Sequence, residues 1–288
     1  MRVGLLLCYA RSGGTLLNQM IGSLPNVVML SEVSPYGGGW GRLAGKSPTT
    51  PAEQLRQWYG LKIHNGSYES ELAQAVEACY KLGKELVIRD WSFISFTPAV
   101  QNGFLPPQRF VTLDALNRLG VDVATFALVR HPISIWMSRR EPVDDGEFLL
   151  PYKNYVNQLA ELAVPLFRYE DLCANPDEVM GNIGDVIGIE CSDKAWQAFN
   201  TFEFVSGDVQ SAQSIERHLG PQAVISMSLP KPKNYEQFVK LHFRRDLQHA
   251  ARLSGYASPS KLNLLGMVGK VVMNRFQGVW AKKDPRNA

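Results

Sequence analysis

Short apolar runs alternate along the chain with segments whose apolar residues recur at helical spacing. The first run, residues 3–9, has no polar alternation, which is typical of a parallel strand buried on both faces. Similar runs predict strands at residues 27–30, 85–88, 123–129 and 165–168. Helices are predicted at residues 15–24, 51–59, 69–82, 132–140, 147–163 and 176–187, with a long surface helix at 234–253. Strands that alternate with helices favour an α/β fold in which a central parallel sheet is flanked by helices on both faces.

Two segments depart from this alternation. Residues 31–51 are so rich in Gly, Pro, Ser and Thr that we expect a long loop, either a lid or a wall of a substrate site. Residues 262–283 combine apolar side chains with four cations, which predicts either an amphipathic helix in peripheral contact with a membrane or a terminal helix packed on its own domain. We expect a single domain over residues 1–260 and a C-terminal helical tail over residues 261–288.

The composition narrows the choice of partners. A formal net charge of +3 is too small to indicate nucleic-acid binding, so any anion site must be local. Cys8, Cys79, Cys173 and Cys191 are scattered, which predicts reduced thiols and neither a zinc site nor a disulfide framework. The first apolar run is too short for a signal peptide, and no run approaches the roughly 20 residues that a membrane span needs. We therefore expect a cytoplasmic protein.

The turn between the first strand and the first helix has the composition of an anion-binding loop. It consists of Arg11-Ser12-Gly13-Gly14-Thr15, and at this place backbone N–H groups and the helix N-terminus favour negative charge. A Gly-Gly turn can also be only a tight connection. No lysine precedes the hydroxyl residue, which disfavours an ordinary ATPase. The sequence therefore predicts a P-loop-like domain with a different anionic ligand.

With this loop the sequence resembles the sulfotransferase superfamily, whose phosphosulfate-binding loop has a PRSGTT-like form after the first strand. Ala10 stands here in place of the usual Pro, and Gly14 in place of a Thr. The resemblance implies that residues 11–15 bind the 5′-phosphosulfate of 3′-phosphoadenosine 5′-phosphosulfate (PAPS). It extends in order from about residue 3 to residue 190.

A second match consists of Arg130 and Ser138, eight residues apart across a strand end and the following helix. In the resembling families this pair binds the 3′-phosphate of the cofactor, although His131 stands where Asp or Asn is more usual. Residues 167–172, FRYEDL, resemble the family's YEDL-type segment, which adds Tyr169 to the expected cofactor site. Arg217 is a further candidate, in a late loop that would close over the cofactor.

A third match concerns catalysis. Glu32 follows Arg11 at 21 residues, as the catalytic glutamate does in tyrosylprotein sulfotransferases, and Arg89-Asp90 stands where those enzymes have Lys-Asp. The resemblance implies that Glu32 is the general base and that Arg11 and Arg89 neutralise charge in the transition state. Glu32 could instead cap the turn before Pro35. Because bacterial enzymes acting on sugars, lipids and small metabolites share this layout, the acceptor stays open.

The expected function is transfer of a sulfuryl group from PAPS to a hydroxyl of a small molecule, sugar, lipid or peptide. The reaction would be an in-line displacement with Glu32 as general base and without a metal ion. One alternative is a P-loop-type nucleotide kinase, which would need Mg²⁺ ligands and a phosphate-facing lysine that the sequence does not offer. Another is a catalytically inactive nucleotide-binding protein. The sequence predicts no nucleic-acid partner and leaves the oligomeric state open.

Overall fold

Five parallel strands form the centre of the molecule. The computed structural model describes residues 2–36, 48–98, 103–138, 145–191, 194–206 and 241–257. The strands are β1 (Arg2–Cys8), β2 (Val27–Val33), β3 (Glu85–Asp90), β4 (Asp122–Val129) and β5 (Leu166–Arg168). Their order in the sheet is β2-β3-β1-β4-β5, and every neighbouring pair is parallel. The carboxyl ends of all five strands therefore lie at one edge of the sheet, where open α/β sheets bind ligands.

Helices cover both faces of this sheet, which confirms the predicted α/β architecture. The described helices are α1 (Gly14–Gly22), α2 (Pro51–Tyr59), α3 (Tyr68–Lys81), α4 (Ser92–Phe96), α5 (Val111–Arg118), α6 (Pro132–Met137), α7 (Asp145–Leu162), α8 (Tyr169–Ala174), α9 (Pro176–Ile187), a 3₁₀-helix (Ala195–Thr201) and α10 (Arg245–Leu253). Leu5 and Leu7 of β1 join a core with α2, α3, α5, α7 and α10. Leu6 and Cys8 point to the other face, where α1, α8, α9 and the 3₁₀-helix pack. None of the helices in the described ranges is long and apolar enough to cross a bilayer.

The predicted helix at residues 234–253 is wrong in its extent. Residues 234–240 lie outside the described ranges, and the chain leaves helical geometry at Arg244 before α10 begins. The guanidinium of Arg244 binds the carboxylate of Asp246 through two hydrogen bonds, of 3.1 and 2.8 Å, at the start of α10. Leu247, Ala250 and Ala251 are buried, so α10 packs on the domain. The expected tail, residues 261–288, also lies outside the described ranges.

Four described helices were not predicted from the sequence: α4, α5, α8 and the 3₁₀-helix. None of them begins with a side-chain cap, which is the local signal that marks a helix start. Helix α4 is also only five residues long, too short for its apolar spacing to be recognised.

In the described ranges, the outer edge of β2 is bonded by side chains of α2 and not by another strand. The Tyr59 hydroxyl accepts from the backbone N–H of Met29 and donates to its carbonyl, both at 2.9 Å. Gln54 accepts from the N–H of Ser31 at 2.7 Å and donates to its carbonyl at 2.6 Å. These four bonds satisfy backbone groups that an edge strand would otherwise leave unpaired.

Asp90, at the end of β3, is a buried carboxyl that ties α5 to the sheet. Thr112 donates to Oδ1 at 2.5 Å and Ser92 donates to Oδ2 at 2.7 Å. Burial raises the pKa of Asp90 to about 6, although the two hydroxyl donors oppose the shift. Near pH 7 the carboxyl is therefore ionised at a cost to stability.

The pH dependence of unfolding should reveal this cost. Because the folded-state pKa of Asp90 lies above its ordinary value, the free energy of unfolding should fall as pH rises from about 4 to about 6. A shift from 3.8 to about 6 corresponds to about 3 kcal/mol. Asp90→Asn keeps both hydroxyl partners and cannot ionise, so its stability relative to the parent should increase across that window in urea unfolding. Asp185→Asn, on the exposed face of α9, is the control. If the free energies of unfolding of Asp90→Asn and of the parent changed with pH in parallel, the raised pKa of Asp90 would be contradicted.

Candidate active site

Each of the five strands delivers one element of the predicted site to the same edge of the sheet. Across the sheet from β2 to β5, these elements are Glu32, Arg89, the loop of residues 11–15, Arg130 and Tyr169. The sheet order brings together residues that are scattered along the chain. It also separates them by role, with the carboxylate at one side, the loop in the middle and Arg130 with Tyr169 at the other side.

The loop after β1 adopts the backbone geometry of an anion cradle. Arg11 and Gly13 have φ values of 71° and 92°, in the left-handed region. Gly13 is the N-cap of α1 and has no side chain with which to bond the first N–H groups of the helix. These donors, with the helix dipole, favour an anion at this end of α1. Ser12 is buried in the loop and Thr15 is half-buried in the first turn of α1.

Tyr169 joins the loop to Arg130. A Cβ atom on Gly13 would lie 2.2 Å from Cδ2 of Tyr169, so the ring packs directly on the loop backbone. The guanidinium of Arg130 lies 4.5 Å from the ring centroid of Tyr169, and its Nη1 donates to the carbonyl of Arg11 at 3.1 Å. Nε of Arg130 is buried and has no hydrogen-bond partner within the described ranges. A buried cationic donor of this kind fits an anionic ligand.

Helix α6 lies between Arg130 and Ser138 in the chain. Ser138 lies at the C-terminus of α6, where its hydroxyl donates to the carbonyl of Ile135 at 2.8 Å. The six residues of α6 put it about 9 Å along the helix from the strand end. Arg217 lies outside the described ranges. The expected roles of Ser138 and Arg217 therefore stay predictions.

Glu32 occupies a strained position at a break in the sheet. Its φ is 52°, and the pairing of β2 with β3 shifts register between Leu30 and Val33. A non-glycine residue in the left-handed region costs about 1–2 kcal/mol, and such strain concentrates at functional positions. The bulge turns the Glu32 carboxylate to Arg89, whose Nη2 donates to Oε1. The side chains of Arg89 and Glu32 are only 6% and 17% exposed.

Arg89 links Glu32 to the loop. A Cβ atom on Gly14 would lie 3.1 Å from Nε of Arg89, so the guanidinium contacts the start of α1. Burial lowers the pKa of Arg89, but Glu32 and Cys8 raise it by more, which keeps the guanidinium charged. Although the Cys8 sulfur is close, Nε and Nη1 have no hydrogen-bond partner of suitable geometry in the described part of the chain. These two buried donors fit an oxyanion bound at the loop.

The side chain of His131, the neighbour of Arg130, contacts the start of α6 and the rings of His242 and Tyr256. It is the N-cap of α6, and its Nδ1 accepts from the N–H of Ile133 at 3.3 Å. Its ring lies 6.1 Å from His242 and 5.1 Å from Tyr256, between ring centroids. Burial and His242 lower the pKa of His131 to about 4, so the imidazole is neutral near pH 7 and supplies no charge to the site.

Sequence patterns did not reveal several residues that are distant in sequence from the site residues and form hydrogen bonds beside them. Ser206 donates its N–H to Oγ of Ser31 at 3.0 Å and its hydroxyl to the Ser31 carbonyl at 2.5 Å, across 175 residues. The Tyr256 hydroxyl donates to Glu170 at 2.5 Å across 86 residues. Gln54 is a third such residue. No local motif could have revealed these contacts, because each depends on segments that meet only in the folded chain.

A pocket of about 280 Å³ opens beside the segment that follows β2. It is lined mainly by polar and aromatic side chains from this segment, from the start of α3 and from α5, among them Tyr36, Tyr68, Arg109, Asp114 and Arg118. Within the described ranges, no three His, Cys, Asp or Glu side chains converge as metal ligands.

Comparison with known proteins supplies the name of the fold. No protein-family model and no curated protein sequence matches the chain. Among solved structures, the sulfotransferase domain of the Synechococcus PCC 7002 olefin synthase is similar, with 18% identity, a TM-score of 0.58, and coverage of 90% of this chain and 96% of that one. The sulfotransferase domain from the curacin biosynthetic pathway has 17% identity, a TM-score of 0.59, and coverage of 89% and 98%. The chain therefore has the sulfotransferase fold.

Proposed function

We propose that this protein is an enzyme that transfers a sulfuryl group from PAPS to an acceptor hydroxyl. The observation that carries the proposal is the position of Arg89, which binds the Glu32 carboxylate while its Nε lies beside Gly14 of the anion loop. A carboxylate that can accept a proton is thereby held beside a site suited to a transferring anionic group. The sulfotransferase fold of the chain supports the same reaction.

The loop and Arg130 would hold PAPS. Backbone N–H groups at the start of α1 would bind the 5′-phosphosulfate, with Ser12 and Thr15 as hydroxyl donors. Nε of Arg130, buried beside Tyr169, would bind the 3′-phosphate. Ser138 would join it by turning its hydroxyl from the Ile135 carbonyl, to which it donates in the structure, to the phosphate.

The reaction would proceed by in-line displacement at sulfur. Glu32 takes the proton of the acceptor hydroxyl as the acceptor oxygen forms its bond to sulfur, and the bond from sulfur to the phosphate oxygen breaks with its electron pair on the leaving phosphate. Arg89, Arg11 and the N-terminus of α1 stabilise the negative charge that develops on the oxygens around sulfur and phosphorus. The acceptor could be a small molecule, sugar, lipid or peptide.

A transfer assay separates this function from its rivals. PAPS labelled in its sulfur is incubated with the protein and a panel of a phenol, a primary alcohol, a hexose and a tyrosine peptide, and separately with a fractionated cell extract. We expect a labelled product. Binding of 3′-phosphoadenosine 5′-phosphate (PAP) without transfer to any acceptor would indicate a nucleotide-binding protein, and Mg²⁺-dependent phosphate transfer from ATP would indicate a kinase.

Recognition of the 3′-phosphate can be tested with two nucleotides that differ only in that group. By calorimetry, PAP should bind much more tightly than AMP, because Arg130 makes a charge-assisted hydrogen bond worth about 1.5–3 kcal/mol with the 3′-phosphate. Arg130→Ala should remove about 10- to 100-fold of PAP affinity and change AMP affinity little. Arg168→Ala, at the end of the neighbouring strand, is the control and should leave the ratio of PAP affinity to AMP affinity unchanged. Equal affinity of the parent for PAP and AMP would contradict the cofactor assignment.

The conformation of the loop should also be required for binding. Gly13→Ala places a methyl group where φ is 92° and where the Tyr169 ring lies 2.2 Å away. We expect at least about a tenfold loss of PAP affinity, since strain of this kind costs about 1–3 kcal/mol. Gly181→Ala, in α9 with no atom within 4 Å of the new Cβ, is the control and should bind PAP normally. Parent-like PAP binding by Gly13→Ala would argue against the loop as the anion site.

Replacement of the proposed base should separate binding from turnover. Glu32→Gln keeps an oxygen that can accept from Arg89 but cannot take a proton, so kcat should fall by about 10²–10⁴ with PAP affinity retained. Glu77→Gln, a paired glutamate on the surface of α3, is the control. Near-parental transfer by Glu32→Gln across about pH 6–9 would mean that the base is another residue.

A further inference from the structure

Gln54 is a fully buried amide in α2, and the described contacts account for all of its polar hydrogens. Its Oε1 accepts from the N–H of Ser31 at 2.7 Å, while Nε2 donates to the carbonyls of Ser31 at 2.6 Å and Pro48 at 3.0 Å. The exposure of the residue is 0%. Because Nε2 has two hydrogens and both face carbonyl oxygens, the amide has one orientation that satisfies its partners.

The backbone that Gln54 binds belongs to the residue immediately before Glu32. Pairing with β3 holds Leu30 opposite Ile88 and Val33 opposite Asp90, but it includes no register pair at Ser31 or Glu32. The bulge therefore interrupts the ladder where Glu32 takes up its left-handed conformation. Gln54 holds this interrupted segment from the side opposite β3.

Ser206 completes the attachment of Ser31. It donates to Oγ of Ser31 at 3.0 Å, and its hydroxyl and Gln54 Nε2 both donate to the Ser31 carbonyl. A carbonyl oxygen has two lone pairs, and both are used here. Ser31 is thus bound through its N–H, its carbonyl and its side chain.

We propose that Gln54 is a positioning residue for catalysis. By binding both backbone groups of Ser31, it holds the bulge that directs the Glu32 carboxylate to Arg89. This inference rests on the proposed function of Glu32 as the base. We call the bonds from Gln54 to the N–H and carbonyl of Ser31 the clamp. Loss of the clamp should let the Glu32 carboxylate sample other orientations. Proton transfer should then be slower, while the PAPS loop stays in place.

Tyr59 offers a matched control on the same helix. It forms the same pair of backbone bonds at Met29, both at 2.9 Å. Met29 lies in the regular part of the ladder, opposite Val87. Tyr59→Phe thus removes an equivalent clamp from the same strand edge without disturbing the bulge. Gln54→Met has a similar length and cannot form the amide bonds.

The experiment measures kcat and KM for PAPS with the fastest acceptor of the panel, together with PAP affinity and melting temperature. The proteins compared are the parent, Gln54→Met, Tyr59→Phe, Glu32→Gln and the double variant Gln54→Met with Glu32→Gln. Both clamp variants should melt a few degrees lower. Only Gln54→Met should lower kcat, by about 10- to 100-fold, with PAP affinity unchanged. In the Glu32→Gln background it should cause no further loss, because its effect acts through Glu32.

Several outcomes would overturn the inference. A kcat for Gln54→Met equal to that of Tyr59→Phe, or the same loss in both backgrounds, would leave Gln54 a structural residue only. If Gln54→Met does not fold, Gln54→Leu, which also lacks the amide and buries no charge, serves in its place. Failure of both to fold while Tyr59→Phe folds would likewise assign Gln54 to stability. Full activity of Glu32→Gln would instead refute the role of Glu32, and that result is distinguishable from all of these.

Discussion

The contact between Arg89 and Glu32 is the interaction on which the arrangement of this site depends. It joins the ends of two neighbouring strands, and the same guanidinium contacts the start of α1 through Gly14. A buried arginine has to be balanced by negative charge. Glu32 supplies one such charge, and the donors on Nε and Nη1 are suited to a second one, that of a bound oxyanion.

This arrangement is energetically costly. Arg11 and Glu32 both adopt left-handed backbone conformations, and Arg89 and Arg130 both carry buried nitrogen atoms without protein partners in the described ranges. The regular packing on either side of β1 offsets these costs, because its side chains are almost completely buried on both faces of the sheet. Backbone strain and buried cationic donors of this kind are typical of a binding site.

Segments distant in sequence complete the support of this edge. Helix α2 bonds the outer edge of β2, and Ser206 binds the same strand from late in the chain. On the opposite side, Tyr256 donates to Glu170, beside Tyr169. Both ends of the site are therefore held by residues that do not belong to any strand-end motif. Their contribution is to orient the backbone and side chains that the motifs supply.

The sequence by itself determined the α/β architecture and predicted residues of the candidate site. Buried parallel strands require continuous apolar runs, and a loop that binds an anion requires glycine and a cation next to a helix start, so residues 3–9 and 11–15 could be interpreted locally. Only the tertiary structure decided which of these groups meet. It placed Arg89 on Glu32 and brought Gln54 to the bulge. Such contacts depend on strand order, register and a local bulge, which arise from the packing of the whole domain and leave no periodic trace in the sequence.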